Sequence, residues 1–213
     1  PLVDHDMNVV DFSTSSRVRK FPILQPDIGD EEINNLLECA NTGWISSQGR
    51  FIKEFEVNFS GYLNGGHAVA VSNGTAALQL AMLALGIGAN DEVIVPNFTF
   101  GASINAIIHV GAIPVLVDVD PETWTISLKA IEAAINKNTK AIMPVHLYGQ
   151  SAHIDEINKI AKNNNLHIVE DCAEALGGTY KKRLIGRDGD ATCFSFFANK
   201  LITTGEGGMV VFK

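Results

Sequence analysis

Lys200 is the residue of this sequence best suited to covalent chemistry. It lies in the stretch ATCFSFFANKLITTGEGGMVV, residues 191–211, close to Phe196, Phe197 and Leu201. Lysine is strongly hydrated and is seldom placed among apolar side chains unless it is paired or reactive. Loss of solvent disfavours the charged amine, and a neutral lysine amine attacks carbonyl groups. The alternative is a lysine at a strand end whose amine reaches water, and the local residues leave both interpretations open.

Two loops that follow apolar runs carry groups that suit a phosphate and a flat ring. Asn73, Gly74 and Thr75 follow the first run and place a glycine and a hydroxyl at a helix start. This arrangement is typical of anion binding, but many ordinary strand–helix turns look the same. Phe98 and Phe100 follow the next run. An aromatic side chain there either stacks on a ring or packs against a neighbour.

Three more polar residues follow or lie within later apolar runs. Asp171 ends the run at 166–170, where its carboxylate either binds a ligand or caps the following turn. Ser195 precedes Lys200 by five residues, in the run that leads to it. We interpret His146, in PVHLYG, as structural, because a histidine at such a position packs more often than it reacts.

Placing these residues together requires strands that alternate with helices. The β-branched runs predict strands at 67–71, 92–95, 115–118, 141–145 and 166–170. Helical periodicity predicts helices at 30–40, 50–62, 74–85, 101–110, 127–135 and 154–162, and the helix at 74–85 is apolar on every side and is expected to be buried. This alternation favours an α/β fold with a mainly parallel sheet between two helical layers. Ligands bind such a sheet beyond the carboxyl ends of its strands.

The groups expected at that edge match the needs of pyridoxal 5′-phosphate (PLP). Its phosphate binds at a helix N-terminus, its ring stacks on an aromatic, its pyridine nitrogen pairs with an aspartate and its aldehyde reacts with a lysine. Competing motifs are absent from the sequence: there is no GxxxxGK[ST] loop and no GxGxxG turn between a strand and a helix. No residues have metal-ligand spacing, so no metal is expected.

Composition narrows the class of partner and the compartment. The net charge is −8 and no basic block stands out, which argues against nucleic acid or an anionic membrane as the main partner. Three widely spaced cysteines, Cys39, Cys172 and Cys193, indicate reduced thiols of a cytoplasmic protein. No apolar run is long enough to span a bilayer, and no signal-peptide pattern is visible.

The ends of the sequence suggest a piece of a longer protein. It begins at Pro1 and stops at Lys213, inside an apparent strand. Residues 1–20 lack clear periodicity and are interpreted as an N-terminal arm. We expect residues 21–213 to form a PLP-binding large domain that is truncated on its C-terminal side.

Four motifs resemble the DegT/DnrJ/EryC1/StrS family of PLP-dependent aminotransferases, which act on nucleotide-linked keto sugars. They are SNGTAALQLAMLALGIGANDEVIVP, PVHLYGQ, VEDCAEALGG and FSFFANKLITTGEGGMV. Within the family the chain is most similar to the perosamine-synthetase-like branch. The resemblance implies a fold-type I large domain with a seven-stranded sheet in three αβα layers and a small C-terminal domain that is missing.

The resemblance also implies roles for individual residues. Lys200 is similar to the lysine that binds the cofactor covalently, and Asp171 to the partner of the pyridine nitrogen. Phe100 is similar to the aromatic residue stacked on the ring. Glu174 stands where members often carry Gln near the phenolic oxygen, although a carboxylate would repel a phenolate unless a proton lies between them.

Two further groups of residues are implied in the same way. The expected phosphate ligands are Gly74, Thr75 and Ser195. A loop that often borders the substrate site contains Trp44, Ser46 and Ser47.

The implied activity is transfer of an amino group from glutamate to a nucleotide-linked 4-keto-6-deoxy sugar, or a 3-keto sugar, by a homodimer. Lys200 argues against the dehydratase branch, in which histidine replaces this lysine. Two alternatives stay open. One is a catalytically incompetent large-domain fragment, and the other is a different fold-type I PLP enzyme that acts on an amino acid.

Overall fold

The computed structural model describes residues 2–3, 9–11, 26–46 and 49–213. The predicted arm, residues 1–20, lies mostly outside these ranges. Only two short antiparallel strands are described there, β1 (Leu2–Val3) and β2 (Val9–Asp11). The division into an arm and a large domain at 21–213 stays a prediction. Among the described residues, no helix has the length and apolarity needed to cross a membrane.

Strands and helices alternate over residues 67–171, and their bounds lie within three residues of those predicted. In chain order the elements are α1 (Asp30–Thr42), α2 (Arg50–Tyr62), β3 (His67–Val71), α3 (Gly74–Ala84), β4 (Glu92–Pro96), α4 (Gly101–His109), β5 (Ile113–Val117), α5 (Leu128–Ala134), β6 (Thr139–Ile142), α6 (Ile154–Asn164), β7 (His167–Asp171), β8 (Thr179–Tyr180), β9 (Arg183–Leu184), β10 (Ala191–Ser195) and β11 (Gly208–Phe212). Side-chain caps set two of these starts, since Asn73 accepts from the amide of Ala76 and Ser127 from that of Ala130.

Seven strands form one sheet in the order β3-β11-β10-β7-β6-β4-β5. All are parallel except β11, which runs antiparallel to both β10 and β3. Ser195, at the end of β10, pairs with Gly208, at the start of β11. The loop between them, which contains Lys200, therefore lies at the edge where the parallel strands end. The predicted mainly parallel sheet is confirmed.

Strand alternation sends side chains to two helical layers. Val93 and Val95 belong to the core cluster built with the buried residues of α3 and α4. Ile94, between them, belongs to the cluster built with α5 and α6. A third cluster joins Phe194 and other side chains of β10 and β11 to Phe59 of α2. Burial of each large apolar side chain contributes about 1.5–3 kcal/mol to the stability of the fold. The clusters on the two faces of the sheet confirm the three αβα layers.

Helix α3 is only partly buried. Leu78 and Met82 face the core, but Leu83 and Ala84 at its C-terminal end are exposed. The expectation that this helix is buried on every side is therefore wrong. The reason is that neighbouring elements pack against one side of the helix, so that only the face turned toward them is buried.

Candidate active site

A cavity of about 450 Å³ opens at the carboxyl edge of the sheet. The turns after β3, β4 and β7 and the loop after β10 contribute most of its wall. All seven residues that the sequence predicted for a cofactor site line it: Gly74, Thr75, Phe100, Asp171, Glu174, Ser195 and Lys200. The structure thus brings together residues from four separate parts of the chain.

The N-terminus of α3 forms one end of the cavity. The side chain of Asn73 accepts the amide of Ala76 at 2.8 Å, while the amides of Gly74 and Thr75 belong to the first turn and have no intrahelical partner. A Cβ atom on Gly74 would lie 2.9 Å from the Cβ of Ser195. Only glycine therefore allows β10 to approach the helix this closely, which sets Ser195 beside the first turn of α3. This arrangement suits an anion such as phosphate.

Asp171 lies at the tip of β7 and is only 4% exposed. Its Oδ2 accepts the hydroxyl of Ser103 at 2.8 Å, and its Oδ1 accepts the amide of Ala173 at 3.1 Å. Burial raises the pKa of this carboxyl, although the two hydrogen bonds and the charge of Lys200 act in the opposite direction. One oxygen caps the following turn, as the alternative interpretation expected. The group nevertheless lines the cavity that Lys200 also lines.

Lys200 lies in the loop between β10 and β11 with its side chain about one-fifth exposed. Its Nζ is 3.6 Å from Oε1 of Glu174. The other oxygen of Glu174 accepts the amide of Tyr148 at 3.1 Å, in a turn where Tyr148 adopts a left-handed φ of 51°. Lys200 is therefore paired with a carboxylate, one of the settings that the sequence left open for this lysine, and Leu201 beside it in the chain is exposed.

The structure separates the two candidate aromatic residues. Phe100 caps the start of α4, lines the cavity and is 77% exposed. Among the described residues, no other ring contacts it. Phe98 instead packs edge-on against Trp124, with ring centroids 5.8 Å apart. Phe100 is therefore the aromatic residue available to cover a ring in the cavity.

Sequence reasoning missed two hydroxyl groups behind Asp171. Ser103 is fully buried in α4, and its Oγ lies 2.8 Å from the hydroxyl of Thr99 as well as 2.8 Å from Asp171. Ser103 and Asp171 are 68 residues apart, so no local pattern joins them. The available signal was a serine among the apolar residues of GASINAIIH, a polar group that must find a partner when buried.

His146, which follows β6, and Glu170 of β7 form a buried pair next to Asp171. Nδ1 of His146 accepts the amide of Ala152 at 3.1 Å, so Nε2 carries a proton and donates to Oε2 of Glu170 at 2.9 Å. The other oxygen of Glu170 accepts the amides of Asp188 at 3.0 Å and Gly189 at 2.6 Å. Burial acts to raise the pKa of Glu170, but these hydrogen bonds outweigh it and hold the pKa below its usual value. The pair ties β7 to the loop before β10.

The same pair is close to Cys172, and the ligand atoms of the three residues lie within 4.8 Å of one another. Both nitrogens of His146 and both oxygens of Glu170 are already engaged in hydrogen bonds. Burial raises the pKa of the Cys172 thiol well above its ordinary value, which disfavours the thiolate that binds metals. These groups therefore brace the fold, in agreement with the structural role expected for His146.

The predicted substrate loop lies elsewhere in the described structure. Trp44 lines a separate groove between α1 and α2, together with Glu38 and Arg50. Ser46 is exposed. Ser47 lies outside the described residues. A substrate role for this loop stays a prediction.

Over residues 26–213 the sequence matches the DegT/DnrJ/EryC1/StrS aminotransferase family. A GDP-perosamine synthase of Caulobacter vibrioides is 51% identical over 195 residues, which are 92% of this chain and 53% of that protein. A GDP-perosamine synthase of Escherichia coli O157:H7 is 50% identical over 194 residues, 91% of this chain and 53% of that protein. The chain thus spans about half the length of the curated relatives it matches.

Solved aminotransferase structures share the fold. The PLP form of a Streptococcus pneumoniae protein, assigned as a sugar aminotransferase, has 38% identity and a TM-score of 0.85 over 91% of this chain and 53% of that one. An aminotransferase from Psychrobacter cryohalolentis has 39% identity and a TM-score of 0.82 over 88% of this chain and 48% of that one. The aminotransferase fold expected from the sequence motifs is confirmed.

Proposed function

The chain belongs to the DegT/DnrJ/EryC1/StrS aminotransferase family, and on that premise we propose that it is the catalytic part of a PLP-dependent sugar aminotransferase. The reaction moves an amino group from glutamate to a nucleotide-linked 4-keto-6-deoxy sugar. The observation that carries the proposal is that Lys200, Asp171 and the N-terminus of α3 line the same cavity. The GDP-perosamine synthases among its relatives support a GDP-linked sugar as the first substrate to assay.

The residues present fit PLP at each end of the cavity. The amides of Gly74 and Thr75 and the hydroxyls of Thr75 and Ser195 would bind its phosphate, in the cradle that a Cβ on Gly74 would fill. Phe100 would cover one face of its ring. Asp171, buried and facing the cavity, would hold the ring nitrogen, since a protonated nitrogen supplies the positive partner that the carboxylate lacks.

When bound, PLP supplies an aldehyde that takes up the amino group and a pyridine ring that accepts the electron pair released at the neighbouring carbon. Lys200 would bind the aldehyde and, once displaced, hold at Nζ the proton that passes between the carbon atoms on either side of the amino nitrogen. Asp171 would keep the ring nitrogen protonated and fix its position. Each role belongs to a side chain that lines the cavity.

Glu174 would act beside the amine of Lys200. Its Oε1 lies 3.6 Å from Nζ, and the amide of Tyr148 fixes its other oxygen. At this distance the two groups form an ion pair rather than a hydrogen bond. A proton shared between the carboxylate and a phenolic oxygen would remove the repulsion that a bare carboxylate would cause.

The assembly and compartment are part of the same proposal. We infer a homodimer, as the family resemblance implies, which analytical ultracentrifugation of the protein tests. The three cysteines are free, and two of them are buried with raised pKa values, as in proteins of a reducing cytoplasm.

The test is an assay of the PLP-loaded protein with glutamate and a GDP-linked 4-keto-6-deoxy sugar. Mass spectrometry should detect the amino sugar and 2-oxoglutarate in equal amounts. Release of ammonia or sulfide from an amino acid without sugar would indicate another fold-type I enzyme. Protein that stays colourless after incubation with PLP would indicate a fragment without activity. The Lys200→Ala variant is the matched control and should form no product.

A further inference from the structure

Ser103 is fully buried and does not line the cavity, yet its hydroxyl contacts the carboxylate at the centre of the candidate site. We propose that Ser103, supported by Thr99, is a positioning residue that holds Asp171 ionised and oriented toward the cofactor's ring nitrogen. The inference rests on the proposed function for the identity of the ring. The hydrogen bonds that join Thr99, Ser103 and Asp171 lie within this chain and do not depend on the proposed function.

The distances favour one direction for the hydrogen bonds. A serine hydroxyl has one proton, and the Oγ of Ser103 lies 2.8 Å from Asp171 and 2.8 Å from Thr99. If Ser103 donates to Asp171, it accepts from Thr99. The other acceptor within reach of the Thr99 hydroxyl is the carbonyl of Phe100, at 3.5 Å. The order Thr99 to Ser103 to Asp171 is therefore favoured, and it requires Asp171 to be an acceptor.

The ionised carboxyl fits this acceptor role, since it accepts at both oxygens and carries no proton of its own. A carboxylate with one donor on each oxygen keeps further lone pairs for a third donor. The amide of Ala173 and the hydroxyl of Ser103 occupy one site each. The cavity side of Asp171 is thus left for a ring N–H, which neither of the two existing donors blocks.

Several other charged or titratable groups lie around Asp171. They are His146, Glu170, Cys172, Cys193 and Lys200. His146 pairs with Glu170 and with the amide of Ala152, burial raises the pKa of both thiols, and Lys200 lies beside Glu174. Glu170 is negative and opposes ionisation of its neighbour. Among the influences that act against the burial of Asp171, the hydrogen bonds from Ser103 and Ala173 are the largest, and burial still raises the pKa of this carboxyl.

One turn of helix places both parts of the ring site. Phe100 is the N-cap of α4, and the amide of Ser103 donates to its carbonyl at 3.2 Å. The first turn of α4 thereby fixes the distance between the exposed ring of Phe100 and the buried hydroxyl of Ser103, which donates to Asp171. A cofactor ring would contact Phe100 at its face and Asp171 through its ring nitrogen.

The first arm of the test uses cofactor-free protein. Infrared difference spectroscopy follows the carboxylic-acid band that disappears in Asp171→Asn. In Ser103→Ala the band should persist to higher pH than in wild type, because a donor to the carboxylate is lost. Ser103→Thr keeps the hydroxyl and should resemble wild type. Ser151→Ala is the matched control, since it removes another buried hydroxyl, which donates to the carbonyl of Ala152 at 2.8 Å.

The second arm uses PLP labelled with ¹⁵N in the ring. The nitrogen signal of the Ser103→Ala protein should move toward the unprotonated form, and kcat should fall about 10-fold or more with KM changed little. Thr99→Val, which has nearly the same shape, should shift both quantities in the same direction by less. This variant decides the matter if Ser103→Ala does not fold.

Two results would overturn the proposal. One is a Ser103→Ala protein that matches Ser151→Ala in both the infrared band and the nitrogen signal. The other is a Thr99→Val protein with no shift in either when Ser103→Ala cannot be prepared. A shifted infrared band in protein that never binds PLP would instead refute the proposed function and support the control of Asp171 by Ser103.

Discussion

Replacing Gly74 by alanine tests the phosphate cradle, because the new methyl group has no room. It would lie 2.9 Å from the Cβ of Ser195 and 3.4 Å from its Oγ. The Cβ of Ser195 is fixed to the backbone, so no rotamer change relieves the contact. Helix α3 and strand β10 must then move apart, and overpacking of this kind costs about 1–3 kcal/mol. The helix propensity of alanine offsets up to about 1 kcal/mol. We therefore expect a net loss of about 1–2 kcal/mol in the free energy of unfolding.

A double-mutant cycle isolates this contact. Ser195→Gly removes the clashing Cβ together with the Oγ and leaves the Cα of residue 195 at 3.5 Å from the new methyl group, an ordinary contact. In that background, Gly74→Ala should be neutral or stabilising, which gives a coupling free energy of about 1–3 kcal/mol. Gly101→Ala is the matched control, since Gly101 also begins a helix and its nearest neighbour would be Asn105 at 3.9 Å.

Urea unfolding of the wild type, Gly74→Ala, Ser195→Gly, the double variant and the Gly101→Ala control measures these free energies. PLP binding, followed by absorbance, should be weaker in Gly74→Ala and should stay weak in the double variant, because the Ser195 hydroxyl is absent. A Gly74→Ala protein as stable as Gly101→Ala, or a coupling near zero, would refute the close approach of α3 and β10.

Three further substitutions probe the site and its support. Asp171→Asn should lower turnover about 100- to 1,000-fold with little change in melting temperature, and unchanged kinetics would exclude a charged partner for the ring. Glu170→Gln should destabilise the protein by about 1–3 kcal/mol near pH 7. Since the folded pKa of Glu170 is lowered, its contribution is present above the unfolded pKa and is lost as pH falls through the folded value. Urea unfolding should thus show a smaller acid loss in the variant, and parallel curves would contradict this. Phe100→Ala should weaken PLP binding about 2- to 10-fold without unfolding, because the ring is exposed, and an unchanged dissociation constant would exclude stacking.

Local signals were sufficient for the elements of the fold. Alternating β-branched runs predicted the strands, and helical periodicity predicted helix starts at residues 74 and 127, within one residue of those observed. The edge at which ligand groups gather follows from parallel topology, and the family resemblance added the individual roles, Glu174 among them, for the seven residues that line one cavity. The exposure of Leu83 was not predicted, because it depends on which layers cover α3.

Contacts between distant parts of the chain were beyond the sequence. Ser103 meets Asp171 across 68 residues, and Glu174 meets Lys200 across the segment that contains β8, β9 and β10. Both contacts depend on strand register and helix rotation, which a single sequence does not fix. The setting of Lys200 stayed open for this reason, since its sequence neighbours are apolar while its neighbour in space is a carboxylate.

The central claim is that the amine of Lys200 binds the aldehyde of PLP in the cavity that Asp171 also lines. Borohydride reduction of the PLP-loaded protein, followed by proteolysis and mass spectrometry, tests it most directly. The account predicts a pyridoxyl group on the peptide that contains Lys200. It predicts no such group in the Lys200→Ala variant, in which Asp171 is unchanged. A label on exposed lysines such as Lys181, or no label on folded protein that binds PLP, would contradict it.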